Sequence, residues 1–173
     1  MGDLSTHFDA REFRCKCGKC NYLEADELLI DRLERVIDYL SRCERGFKYL
    51  IITSGCRCPS HSVAVGGSAN DAHTLCIAAD WYVIDERGER YPSEQLAAVA
   101  ELIGFGGIGI IDNTTIHTDN RDCRSYANNF WHGDERTGAN VTTWAAHIPP
   151  AKIKDKHKIK LSYDGKIIFE SEV

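Results

Sequence analysis

Apolar residues recur at helical spacing early in the chain. Leu28, Leu29, Leu33, Val36, Ile37 and Leu40 form a stripe that predicts one amphipathic helix over residues 24–42, ending near Gly46. Such a stripe faces a core. The period then changes. Tyr49-Leu-Ile-Ile-Thr53 predicts a buried strand leading into a loop over residues 54–67, and Ala78-Ala-Asp-Trp-Tyr-Val-Ile84 predicts a second one. Pro92-Ser93 opens a second helix through Leu96, Val99 and Leu102, which Gly104 stops. Short strands are expected from Ile108 and over residues 115–119, the latter entered from the Asp112-Asn113 turn. These elements predict an α+β fold, a small, mainly antiparallel sheet with helices on one side.

The C-terminal pattern is different. Lys158-Ile-Lys-Leu-Ser-Tyr163 and Lys166-Ile-Ile-Phe169 flank Asp164-Gly165, the signal of a hairpin with a two-residue turn. A hairpin with one apolar face needs a surface to cover it, so residues 151–173 are expected to pack on a domain of residues 1–150 or on another subunit. Between these regions Trp131, His132, Trp144 and His147 alternate with polar residues. They read as packing residues over a sheet, with a substrate groove as the alternative.

Length and composition set the class. The chain has 173 residues and 43% hydrophobic content, enough to bury one core without splitting. A formal net charge of -5 argues against nucleic-acid binding, which needs a basic footprint to neutralise phosphates. No stretch is long or apolar enough to span a bilayer. The first residues lack the basic and apolar regions of a secretory signal, so the protein is expected to be made and kept in the cytoplasm until something releases it. Oligomeric state is open.

Candidate chemistry centres on His73, Asp80 and His117. Two imidazoles and one carboxylate suit a catalytic zinc, because three protein ligands leave the fourth tetrahedral position open. Asp80 falls within the predicted strand 78–84, His73 in the loop before it, and His117 in the strand 115–119. Asp119 lies two residues after His117 and shares its face, as a general base or as a partner that orients the histidine.

The chain has eight cysteines. In a reducing cytosol disulfides are a poor default. Cys15-Lys-Cys17-Gly-Lys-Cys20 reads as a thiolate corner, and Cys43, Cys56 or Cys58 would supply a fourth ligand for a second, structural zinc; free, partly buried thiols are the alternative. Cys58 is the preferred fourth ligand.

Six ordered blocks carry a family resemblance: Phe13-Arg-Cys-Lys-Cys-Gly, Ile52-Thr-Ser-Gly-Cys-Arg57-Cys-Pro-Ser-His61, Ala64-Val-Gly-Gly67, His73 through Asp80, Gly104-Phe-Gly-Gly-Ile-Gly109 and Ile116-His-Thr-Asp119. Over residues 8–124 the chain resembles the zinc D-alanyl-D-alanine carboxypeptidase and endopeptidase family, which shares its fold with Hedgehog signalling domains, and within it the bacteriophage and bacterial cell-wall branch. The resemblance implies one catalytic zinc on His73, Asp80 and His117, and Arg57 holding a substrate carboxylate or developing oxyanion. It also implies Asp119 as base, with Asp112 as fallback because the acidic position of other branches is Thr114 here. Two further departures are Asp71, where serine is usual, and Cys76, where glycine is usual.

The function the resemblance implies is zinc-assisted hydrolysis of a peptide bond in the peptidoglycan stem or cross-link, at the cell wall after release or as a virion component. The alternatives are a zinc-bound, non-catalytic binding module and a structural phage-particle component.

Overall fold

The computed structural model describes residues 2–121, 129–133, 140–141, 143–144, 158–163 and 166–172. The Asp164-Gly165 turn, His147 and Cys123 lie outside them.

Local chemistry explains where the helices begin. Asp9 opens α1 (Ala10–Phe13), and its backbone N–H donates to Glu12 Oε1 at 2.8 Å. The Asp26 carboxylate accepts the Leu29 N–H at 2.8 Å, so α2 (Glu27–Ser41) begins three residues later than its spacing predicts. Its buried face is Leu29, Ile30, Leu33, Val36, Ile37 and Leu40, while Leu28 points outward. After β1 (Tyr49–Ser54) comes α3 (Pro59–Ala64), in a stretch expected as loop. Pro59 at its first turn is pre-set for a helix, but the element is too short for periodicity to reveal. β2 (Ala78–Ile84) and α4 (Ser93–Ile103) follow, the latter stopped by Gly104 in the left-handed region at φ 98°.

The remaining strands are β3 (Gly107–Ile110), β4 (Ile116–Asp119), β5 (Asn129–His132) and β6 (Asn140–Val141). They join β1 and β2 in a six-stranded sheet of order β1-β2-β4-β3-β5-β6. Among the described residues only β3 and β5 pair in parallel. β7 (Lys158–Tyr163) and β8 (Lys166–Glu172) form a separate antiparallel pair. Among the described residues no helix is long and apolar enough to cross a membrane. The architecture is α+β, as the pattern predicts.

Strand alternation divides the labour of the sheet. Leu50, Ile52, Ala79, Trp81, Val83, Ile108, Ile110, Ile116 and Phe130 join α2 and α4 in one apolar core. Tertiary packing of this face stabilises the helices more than propensity does. The intervening residues, Asp80, Gly107, Gly109, His117, Asp119 and Trp131, occupy the opposite face. Two glycines make that face usable: a Cβ at Gly109 would overlap the Trp131 indole, and one at Gly107 would overlap the Asp119 carboxylate and Arg121.

Candidate metal centre

One transverse row of the sheet organises the site. Ser54 pairs with Asp80, Asp80 with His117, His117 with Gly109, and Gly109 with Trp131. Directly opposed residues on one face bring their side chains together. His73 reaches the row from the turn before β2, where its carbonyl accepts the N–H groups of Arg57 at 3.0 Å and Cys76 at 3.2 Å.

The three predicted ligands converge. His117 Nδ1 lies 2.9 Å and His73 Nε2 3.2 Å from Asp80 Oδ1, and the two nitrogens are 3.1 Å apart. The groups surrounding them support a metal. His73 Nδ1 lies 2.7 Å from the Gly55 carbonyl, and His117 Nε2 lies 3.0 Å from Asp119 Oδ2. A carbonyl or carboxylate only accepts, so in each neutral ring the outer nitrogen carries the proton and the inner one presents its lone pair. Asp80 Oδ2 in turn accepts from Arg57 Nη2 at 2.5 Å. Two imidazole nitrogens and a carboxylate oxygen, each held from behind, fit a zinc ion with one open coordination position.

Asp119 faces away from the three donor atoms. It is fully buried and accepts from Arg121 Nε at 2.8 and 2.9 Å, from Arg121 Nη2 at 2.6 Å and from the Arg121 backbone N–H at 2.9 Å. Burial opposes its charge, but hydrogen bonds from His117 and Arg121 outweigh that and hold the carboxyl well below the usual range. The expected base therefore stands behind the His117 ring, engaged through both oxygens. The fallback, Asp112, is also engaged: its Oδ1 accepts the N–H groups of Thr114 at 2.7 Å and Thr115 at 2.8 Å, closing the turn into β4.

The loops around the centre show why two positions depart from the family pattern. Asp71 accepts from the Ser62 hydroxyl, from Ser68 N–H at 3.1 Å and from Thr74 N–H at 2.9 Å, so it braces the loop that delivers His73. Cys76 is the one non-glycine among the described residues with positive φ, at 57°, which explains why glycine suits this place. Its side chain forms a disulfide with Cys56, across a Cα–Cα separation of 4.6 Å. This corrects the expectation of reduced cysteines: the bond joins the strand-end loop of Arg57 to the turn of His73. It also removes Cys56 from the thiolate corner. Cys43 Sγ donates to the Tyr39 carbonyl at the end of α2, whereas the sulfurs of Cys15, Cys17, Cys20 and Cys58 all lie within 4.8 Å of one another.

A cleft of about 380 Å³ opens above the three ligands, lined by residues that include Arg57, Val65, Asp71, Ile111, Arg121 and Trp131. Arg57 Nε donates to Ser54 Oγ at 2.9 Å, which fixes the guanidinium against Asp80. Trp131 does both jobs that the sequence left open: it is buried, and its ring lies 5.4 Å from that of His117 at the cleft wall. Arg121 and Ser54 escaped the sequence reading. The available signal was the Asp119-x-Arg121 spacing, which places a cation two residues beyond a ligand-supporting carboxylate.

The buried charges set a pH dependence for the metal-free protein. Burial lowers the affinity of His117 for a proton, but Asp119 and Asp80 outweigh it and raise the imidazole to about 9. A raised folded value stabilises fully below the unfolded value of about 6.5 and is lost as pH rises toward the folded one. The melting temperature in chelator should fall between pH 6.5, the ordinary imidazole value, and about 9. The increase on adding zinc should grow over the same interval, since less proton has to be displaced. Thermal melts across that interval test this, and a flat chelated profile counts against an imidazolium held between two carboxylates.

Comparison with known proteins agrees with the geometry. A search of curated proteins finds no match, nor does one of solved structures. The sequence pattern of the family described as Peptidase M15 matches residues 6–119, a span that contains Arg57, all three metal-facing residues and Asp119. With that match over more than half its length, the chain belongs to the M15 family of zinc metallopeptidases.

Proposed function

We propose that this metallopeptidase cleaves a peptide bond in the stem or cross-link peptides of peptidoglycan. The observation that carries the reading is the placement of three metal-donor atoms on the floor of an open cleft, beside a guanidinium pinned at two points. The resemblance to the cell-wall branch supplies the substrate class, and its action belongs at the wall, after release or as part of a virion.

His73, Asp80 and His117 would hold a zinc ion, which would supply a Lewis acid able to polarise a carbonyl and to lower the pKa of water. The protein's own groups do the positioning. Gly55 and Asp119 hold the outer nitrogens of the two histidines, and Arg57 holds the outer oxygen of Asp80. Among the described residues Arg57 Nη1 has no hydrogen-bond partner, which leaves a donor for a substrate carboxylate or a developing oxyanion. Val65 and Ile111, both about half exposed, add apolar wall for the rest of a peptide. Asp119 acts here by orienting His117, not by taking a proton.

One observation favours a second reading, a zinc-bound module that binds wall peptides without cutting them. Among the described residues lining the cleft the carboxylates are Asp71 and Asp80, and both are engaged. Digestion of purified peptidoglycan, with chelator and then with restored zinc, separates the two. New peptide termini that require zinc, identified by mass spectrometry, are expected and name the bond as L-alanyl-D-glutamate, D-alanyl-diaminopimelate or D-alanyl-D-alanine. Intact muropeptides from several wall chemotypes, in the presence of bound zinc, would sink the hydrolase reading.

A further inference from the structure

The N-terminal segment holds a second group of metal-ligating atoms outside the cleft. Cys15, Cys17, Cys20 and Cys58 bring four sulfurs within 4.8 Å of one another. Zinc–thiolate bonds of about 2.3 Å require sulfurs about 3.8 Å apart at the corners of a tetrahedron. Cys17 Sγ and Cys20 Sγ are 3.3 Å apart, so the group brackets that spacing.

The backbone is arranged for sulfur acceptors. The Lys19 N–H points at Cys17 Sγ and the Cys58 N–H at Cys15 Sγ, each at 3.3 Å. Gly18, between two of the cysteines, has φ 70° with open space where a Cβ would lie, so its demand is conformational: the tight turn needs the left-handed region. Four cysteines from one such turn and one distant loop are the donor set of a closed structural site, with no position left for water.

We infer that Cys15, Cys17, Cys20 and Cys58 bind a structural zinc ion that clamps the N-terminal segment to the loop carrying Arg57. Cys58 follows Arg57 directly in the chain. The surrounding contacts describe the same clamp. The Cys56 N–H donates to the Phe13 carbonyl at 2.8 Å, Lys16 Nζ to the carbonyls of Ile52 at 3.1 Å and Thr53 at 2.6 Å, and the Tyr22 hydroxyl to the Thr74 carbonyl at 2.7 Å. A Cβ at Gly55 would overlap the Phe13 backbone, so the segment lies flush against the residues that hold Arg57 and His73. Between Arg14 and Tyr22 the backbone is irregular and Cys15 is the one buried residue, so little apolar burial orders this turn, and a metal would supply that ordering free energy directly.

Metal content of the full-length protein tests the site independently of the cleft. Elemental analysis should find two zinc ions per chain in the wild type, and one each in C17S/C20S and in H73A/H117A. Cobalt gives a readout that does not depend on whether the cysteine variant folds. Cobalt-loaded wild type and H73A/H117A should both show intense thiolate-to-metal charge-transfer absorption in the near ultraviolet. One zinc per chain that disappears in H73A/H117A overturns the site, as does cobalt-loaded H73A/H117A without that absorption. Disulfides among these four cysteines in the purified protein, or iron in place of zinc, overturn it equally.

Discussion

His117→Ala is expected to abolish hydrolysis and to empty the cleft of zinc. His117 supplies one of three donor atoms, and its ring also separates two buried carboxylates that lie opposite or beside it on the sheet. Lewis-acid stabilisation is worth several kcal/mol, and each 1.4 kcal/mol is about tenfold in rate, so the fall should be at least about a thousandfold. Chelator should bring the wild type to the same level, and zinc should restore the wild type alone. The variant should still fold, because the ligand face of the sheet is opposite the apolar core. It should also lose the alkaline decline in chelated melting temperature, since the group responsible is gone. Zinc-dependent hydrolysis within tenfold of wild type would show that the metal sits elsewhere.

Asp119→Asn and Asp119→Ala should separate an orienting role from a proton-transfer role. Removing an outer partner of a ligand histidine typically costs 10–100-fold in metal affinity. For Asp119→Asn that loss should be recoverable: at saturating zinc much of the activity returns, because the amide oxygen can still accept the Nε2 proton. A true general base contributes about 10²–10⁴-fold, and excess metal cannot replace it. Asp119→Ala should be worse for another reason. It takes from the Arg121 guanidinium the carboxylate that it holds with hydrogen bonds from 2.6 to 2.9 Å; because Arg121 lines the open cleft and is partly exposed, the loss of stability should fall below the about 3–5 kcal/mol typical of a fully buried pair. A zinc titration of activity, with a thermal melt of each variant, reads both effects. Full zinc occupancy in Asp119→Asn without activity would return Asp119 to the base role.

The helices legible in the sequence were those long enough to show a period, whereas the four-residue strands β3 and β4 were legible from turn signals and short apolar runs. α2, β1, β2 and α4 follow their apolar spacing to within three residues at each end. α1 and α3 were not legible, because one or two turns carry no periodic signal. In the site, His73, Asp80 and His117 were legible as residue types that suit zinc at spacings that suit strands. Arg121 was not, since an arginine after a strand is ordinarily a surface cation.

The sequence by itself determined the amphipathic helices, the fold class, the candidate ligand set and the cysteine-rich corner, because helical and strand periods and ligand chemistry are local properties of the chain. Only the tertiary structure decided how those parts address one another. Strand register set Asp80 against His117, with Gly109 making room for Trp131, a pairing that no one-dimensional spacing encodes. Side-chain direction turned Asp119 from the cleft toward Arg121, so its hydrogen-bond partners come from packing and not from residue type. Loop proximity brought Cys58, the fourth ligand preferred from sequence, within 4.8 Å of the other three sulfurs, and joined Cys56 to Cys76. In each case the outcome depends on which surfaces meet after the core closes, a consequence of packing all the elements together that no single segment contains.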